Sequence, residues 1–535
     1  MLESFVRWWN DAGKNSRYWQ PCVLVSLGLI NLVVFAVGVP RLRIYGHDVF
    51  VSLDGAWRIL NGQIPVVHYY AQMGPLYYLL HASGLALAGG DARGLGYGST
   101  LAGVLIAIWS FLLLRRRMVP APFFLACLAV LLLAVAPFPL GLEPWQSAFS
   151  MKHNRYGFAL TSLVLLESFL DPDKCSGRKM QFGGGFSTGL ACVTLLFLKI
   201  SYGLVALGIA GASVVLRPRE RGRLAGLAAG FLLAGLPILM YLRFDVGALI
   251  REYRLLAAVH GEGLTPFRVL ERFYIDRFET APLLLLTLLT ALLPGIPFRR
   301  RIALGVAAAL ATMAGTLLLL TNTQFQGLPL LAAVALLVID QLSPGVEAET
   351  GACGRVPLLC FALLAVGIPM ALDAAGLAMA FGDKILPLKP GYRLQGPHLE
   401  ALEFVNCSGR YCVDKNDNGE PFVRYTEEGM TLISRYARPG ESVLGMGMSN
   451  PFSYGMLRPP AHGGTVTISG TNVSVWAIPA KERLIGDVDL ILIPAFPASE
   501  RRVMTIVLNR YPEVLGSEYA RVGESENWSL YRRQR

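Results

Sequence analysis

Eleven apolar blocks, set apart by short polar or basic stretches, occupy most of residues 21–381, and a soluble fold has no place for so many long aliphatic runs. They lie at 21–39, 95–114, 121–139, 156–170, 186–198, 202–216, 224–242, 282–297, 302–321, 328–339 and 357–381. With 53% hydrophobic and only 16% charged residues, the chain reads as a polytopic α-helical membrane protein. Several blocks are shorter than the roughly 20 residues of a perpendicular span, which predicts tilt or shelter inside a bundle. The first block lacks a small-residue cleavage site behind it and reads as a retained helix.

Charge sets the expected orientation. The net charge of +11 comes from Arg and Lys clustered between the blocks, the pattern of cytoplasmic loops and not of a nucleic-acid surface. Placing Arg7, Lys14 and Arg17 inside puts Arg115–Arg117, Lys174 with Arg178 and Lys179, Arg217 to Arg223, and Arg299–Arg301 on the same side. That alternation requires the apolar stretch 75–88 not to cross, so it is expected as a half-buried helix closing a first external loop, 40–94. About eleven crossings then leave 382–535 outside with that loop, giving a transmembrane domain (1–381) and an external domain (382–535).

The tail alternates in the manner of a small α/β domain. Strands are predicted at 441–447, 488–494 and 528–532, and an amphipathic helix at 499–511. Cys407 and Cys412 flank Ser-Gly-Arg-Tyr and would close a short disulfide loop in an oxidising compartment, whereas Cys22, Cys127, Cys192 and Cys360 sit in apolar spans.

Ionisable residues cluster just outside the membrane. In the first loop Asp48 lies nearest the membrane and suits a general base, with helix capping as its competing role. Asp54 is six residues on, about 240° around a helix, so the two carboxylates do not share a face. Arg58, four residues after Asp54, is placed for an intrahelical ion pair. His68 and Tyr70 fit either an aromatic belt or a sugar-stacking surface, and the belt is favoured for Tyr77 and Tyr78. Lys152, His153 and Arg155 begin a span from the external side, and Lys199 stands at another external turn. Cations there suit a lipid-linked phosphate, with headgroup snorkelling as the alternative. The segment 245–280 reads as an amphipathic surface stretch, and Gln324, in Thr-Asn-Thr-Gln-Phe-Gln-Gly, offers a neutral partner for a sugar.

Asp48, Asp54-Gly-Ala-Trp-Arg-Ile-Leu-Asn-Gly-Gln-Ile-Pro65 and Gly74-Pro-Leu-Tyr-Tyr together resemble the first external loop of GT-C glycosyltransferases, in the bacterial branch of protein O-mannosyltransferase-like and aminoarabinose-transferase-like enzymes. Asn154-Arg155-Tyr156 and Lys199-Ile-Ser-Tyr202 are similar to later motifs of that group. The resemblance implies a GT-C-like fold in a bacterial inner membrane with a periplasmic tail. It also implies a polyprenyl-phosphate-sugar donor and a lipid, glycan or protein acceptor bearing a hydroxyl. Asp48 would be the base, Arg155, Lys199 and Lys152 would hold the phosphate, and Asp54, Arg58, His68, Tyr70, His153, Tyr202 and Gln324 would bind substrate or shape the loop. Many relatives have Asp-Glu where this chain has Asp48-Val49, and an acidic residue where it has His68. Without the second carboxylate a divalent metal is possible but not favoured, and no other cofactor is predicted. The rival readings are a transporter or flippase for lipid-linked glycans, and an O-antigen polymerase- or ligase-type enzyme.

Overall fold

The computed structural model describes residues 16–170, 177–260, 265–275, 277–292, 296–321, 329–342, 352–407, 418–470, 472–495 and 501–534. Helix α1 (Ser16–Val37) leads into a loop holding α2 (Asp48–Leu60) and α3 (Pro75–Leu87). Then come α4 (Gly94–Leu114), α5 (Pro120–Val135), α6 (Lys152–Phe169), α7 (Arg178–Leu198), α8 (Ile200–Leu216) and α9 (Arg221–Tyr241). The connection that follows carries α10 (Val246–His260) and α11 (Pro266–Ile275), before α12 (Arg277–Leu292), α13 (Phe298–Thr321), α14 (Leu330–Leu342) and α15 (Ala352–Ile385). Every predicted apolar block thus falls on a helix. Among the described residues six helices (in α1, α4, α7, α9, α13 and α15) are long and apolar enough to cross a membrane, and the apolar runs in α5, α8, α12 and α14 are shorter. Helix α6 is buried along its whole length despite Lys152, Arg155 and Glu167, so it is a central helix of the bundle.

The ends of the helices sort as the charge pattern requires. A Cβ on Gly96, at the start of α4, would lie 2.6 Å from Gly38 Cα, just past the end of α1. The chain therefore leaves α1 and starts α4 at the same end of the bundle, and α3 does not cross. At the other end Glu167 accepts from Arg223 Nη2 at 2.6 Å and from Thr188 Oγ1 at 2.6 Å, with Arg117 Nη1 at 3.5 Å. Two of the basic clusters assigned to one side converge there on a single carboxylate.

The tail holds a two-stranded antiparallel pair, β1 (Gly391–Tyr392) and β2 (Phe404–Val405), and a four-stranded sheet of β3 (Val443–Gly445), β4 (Leu490–Pro494), β5 (Tyr519–Glu524) and β6 (Trp528–Arg533). The sheet order is β3-β4-β6-β5, parallel between β3 and β4 and antiparallel elsewhere. Helix α16 (Gly419–Tyr436), the short α17 (Pro451–Gly455) and α18 (Lys481–Leu484), and α19 (Arg501–Arg510) complete it. The three predicted strands and the helix before residue 511 are all present; β1, β2, β5 and helices α16 to α18 are additional to the sequence prediction.

One hydrophobic core joins the first loop to this tail. Val49, Phe50, Leu53 and Ala56 of α2 are buried with Leu399, Phe404, Phe422, Ile433 and Trp528. Their spacing is the apolar stripe of an amphipathic helix. The loop between α1 and α4 is thus packed as part of the domain that follows the bundle.

Candidate active site

The start of α2, the start of α6, the α7–α8 junction and the tail enclose a cavity of about 170 Å³. Asp48, Tyr77, His153 and Lys199 line it, and the tail contributes Met448, Thr467 and Ser469.

Asp48 is the first residue of α2. Neither it nor His47, at the N-cap position with helical dihedrals, makes a side-chain capping bond, so the capping role is not the one adopted. Instead Asp48 Oδ2 accepts from Ser150 Oγ at 2.5 Å, and Oδ1 lies 3.2 Å from His47 Nε2. The side chain keeps 29% exposure, which leaves it reachable from the cavity. Burial alone would raise this carboxyl, but the charge of His47 and the hydrogen bonds from His47 and Ser150 outweigh burial and hold it below the usual carboxylate range.

Asp54 faces the other way, as its offset from Asp48 requires. It is fully buried and accepts from Arg58 Nε at 3.0 Å, the i,i+4 pair expected from the spacing. Arg58 also donates through Nη1 to Ala461 O at 3.1 Å and Gly463 O at 2.8 Å in the tail. His68 and Tyr70 belong to the same seam. His68 Nδ1 accepts from Ile64 N at 3.1 Å and its ring meets His462 edge-on, while Tyr70 N donates to Gly464 O at 2.8 Å. These four shape the loop and do not line the cavity. Tyr77 and Tyr78 correct the belt expectation, because both are buried, and Tyr77 pairs with Ser52 Oγ at 2.7 Å inside the cavity wall.

Lys152 and Arg155 are not where an anion in this cavity would need them. Lys152 Nζ donates to Val135 O at 3.2 Å and Ala136 O at 3.0 Å. Arg155 donates to Phe138 O at 2.6 Å and Leu133 O at 3.0 Å, and pairs with Asp373 Oδ1 at 2.9 Å. Both cations thus satisfy carbonyls in and just beyond the last turn of α5, where the helix dipole favours positive charge. Asp373 was missed; its one signal was a carboxylate inside an apolar span.

Lys199 does reach the cavity. It breaks the helix between α7 and α8 with extended dihedrals, and its Nζ lies 3.3 Å from His153 Nε2. His153 Nδ1 is buried without a hydrogen-bond partner among the described residues. The first loop is pressed against this junction: Gly74 N donates to Leu198 O at 3.0 Å, and a Cβ on Gly74 would fall 2.0 Å from Phe197 O. Gly74→Ala is therefore expected to cost about 3 kcal/mol by overpacking, read as a lower thermal unfolding midpoint in detergent. An unchanged midpoint would show that the loop can lift off α7 freely.

Tyr202 lies behind Lys199 with its ring packed on Gly157 and Phe158, outside the cavity lining. Gln324 and Cys412 lie outside the described residues, although Thr321 lines the cavity. Cys407 is disulfide-bonded. No cluster of three or more potential metal ligands occurs among the described residues. Besides Tyr77, sequence reasoning missed Ser150, Met448, Thr467 and Ser469, neutral residues without a distinguishing pattern.

No protein-family profile and no curated protein matches the chain. Among solved structures it is similar to ArnT from Cupriavidus metallidurans bound to undecaprenyl phosphate, with 14% identity over 95% of this chain and 97% of that one and a TM-score of 0.45. The apo state of the same protein has 13% identity over 95% and 97% of the two chains and a TM-score of 0.39. The archaeal oligosaccharyltransferase AglB from Archaeoglobus fulgidus, in complex with an inhibitory peptide and a dolichol-phosphate, has 12% identity over 97% of this chain and 75% of that one and a TM-score of 0.32. These are distant likenesses along nearly the whole chain, and the site stands on its own residues.

Proposed function

We propose that the chain is an integral-membrane glycosyltransferase of the GT-C kind, transferring a sugar from a polyprenyl-phosphate donor to a hydroxyl of a cell-envelope acceptor. The observation that carries this reading is that Asp48, from the loop whose residues resemble that family, shares one cavity with Lys199 and His153. Asp48 takes the proton of the acceptor hydroxyl as its oxygen bonds to the anomeric carbon, and the bond from that carbon to the phosphate oxygen breaks, inverting the centre. Lys199 and His153 sit beside the starts of α8 and α6, where backbone N–H groups and the helix dipole also favour an anion, and they stabilise the charge growing on the phosphate. Phosphate leaves readily, so a separate acid is not required. Arg155 and Lys152, which the resemblance would put on the phosphate, instead fix the start of α6 through the carbonyls at and just beyond the end of α5. The acceptor meets the cavity on its tail side, beside Thr467 and Ser469.

Burial draws the Lys199 ammonium down to about 7, and a bound phosphate would raise it again. Below pH 7 the free protein is already charged there, so donor affinity should be flat. Above pH 7 binding must take up a proton, and affinity should fall by up to about tenfold per unit. Titration of a polyprenyl-phosphate sugar, whose diester phosphate does not ionise in this range, between pH 6 and 9 checks this, with Lys199→Arg expected to flatten the curve; a flat parent curve would separate Lys199 from the phosphate.

The test of the function as a whole is turnover. Purified protein is incubated with a panel of polyprenyl-phosphate sugars and membrane extract, and products are identified by mass spectrometry. Sugar transferred to an extract component supports the reading, and no turnover with any donor would favour transport.

A further inference from the structure

We infer that Ser150 is a positioning residue for Asp48, held in register by the burial of Lys152 and Arg155 in the bundle. This rests on the reading of Asp48 as the base. Ser150 is 2% exposed, and its Oγ lies 2.5 Å from Asp48 Oδ2, bridging the first loop to the start of α6. The next residue, Met151, has φ 54° and ψ 25°, a left-handed conformation that side chains other than glycine rarely adopt. Strain of this kind persists only where surrounding contacts over-determine it. Those contacts are present on the α6 side: Lys152 is tied to Val135 O and Ala136 O, and Arg155 to Leu133 O, Phe138 O and Asp373. Between Ser150 and the buried Lys152 the chain has one residue in which to turn, and Met151 makes that turn on the cavity wall.

The hydroxyl does two things for a base. It fixes the carboxylate rotamer toward the cavity, and it stabilises the ionised form. The other titratable side chains on the cavity walls are His47 beside Asp48, Tyr45, Tyr77, His153 and Lys199. The Ser150 hydroxyl donates to Asp48 and to none of these groups, so removing it should be felt first at Asp48.

The experiment measures kcat and kcat/KM against pH for full-length Ser150→Ala and Ser150→Thr, with Asp48→Asn alongside. Ser150→Ala should move the acidic limb up by about one pH unit and lower kcat about tenfold, with the donor KM unchanged, and Ser150→Thr should restore both. Should the alanine variant not fold, Ser150→Cys, a weak donor, should show the same shift. Met151→Gly, which keeps the hydroxyl and relaxes the turn, should keep the parent's acidic limb. An unshifted limb in Ser150→Ala or Ser150→Cys, with Asp48→Asn inactive, overturns the positioning role alone. Full activity in Asp48→Asn overturns the base assignment and this inference with it.

Discussion

Asp48→Asn is expected to lower kcat for sugar transfer by about 10²- to 10⁴-fold while leaving the donor KM nearly unchanged. The asparagine keeps the size of the side chain and can still meet Ser150 and His47, but it cannot take a proton from the acceptor. In the proposed site the donor phosphate meets Lys199 and His153, which line the same cavity, and does not need the carboxylate. Steady-state kinetics on the donor identified in the panel assay provide the check. A variant as fast as the parent would remove Asp48 from the chemistry. A variant whose donor KM rises while kcat holds would make it a binding group instead.

Arg155→Ala is expected to destabilise the protein by about 3–5 kcal/mol, because it leaves Asp373 buried without its cation and strips Leu133 O and Phe138 O of a donor. Thermal unfolding in detergent should show a large drop, and yield in the membrane should fall. The double variant Arg155→Met with Asp373→Leu replaces the pair with apolar residues and should recover most of the loss. It should also keep a donor KM near the parent's. Were Arg155 a phosphate ligand, the double variant would fold and lose donor binding, so the two roles give opposite kinetic results.

The bundle was legible because its rules are coarse. Apolar blocks separated by arginine clusters dictate helices and alternate their ends, and even the non-crossing of α3 follows from charge counting. The position of Asp48 was legible through the residues around it. Its partners were not. A lysine and an arginine at the start of a helix look the same whether they face a lipid phosphate or the carbonyls that close α5, and only tertiary packing separates the cases. Tyr77 and Tyr78 carry the aromatic signature of an interfacial belt and are instead buried, Tyr77 against Ser52 of α2 and His153 of α6 and Tyr78 against Gly55 of α2. The tail's share of the cavity was hidden for a different reason: Met448, Thr467 and Ser469 are neutral and follow no periodicity. Likewise Arg58 reaches backbone carbonyls, which every residue possesses and no sequence pattern reports.

Those carbonyls have a consequence in time. Arg58 donates to Ala461 O, 403 residues further along the chain, and at typical synthesis rates that stretch takes on the order of 20–80 s to make. Throughout that interval α2 is outside the bundle with its apolar stripe unpaired and its arginine lacking its final acceptors. The loop that carries α2 is therefore among the first parts of the protein to be translated and among the last to be built. During synthesis it must be shielded by the membrane surface or by a chaperone until the tail arrives to close over it.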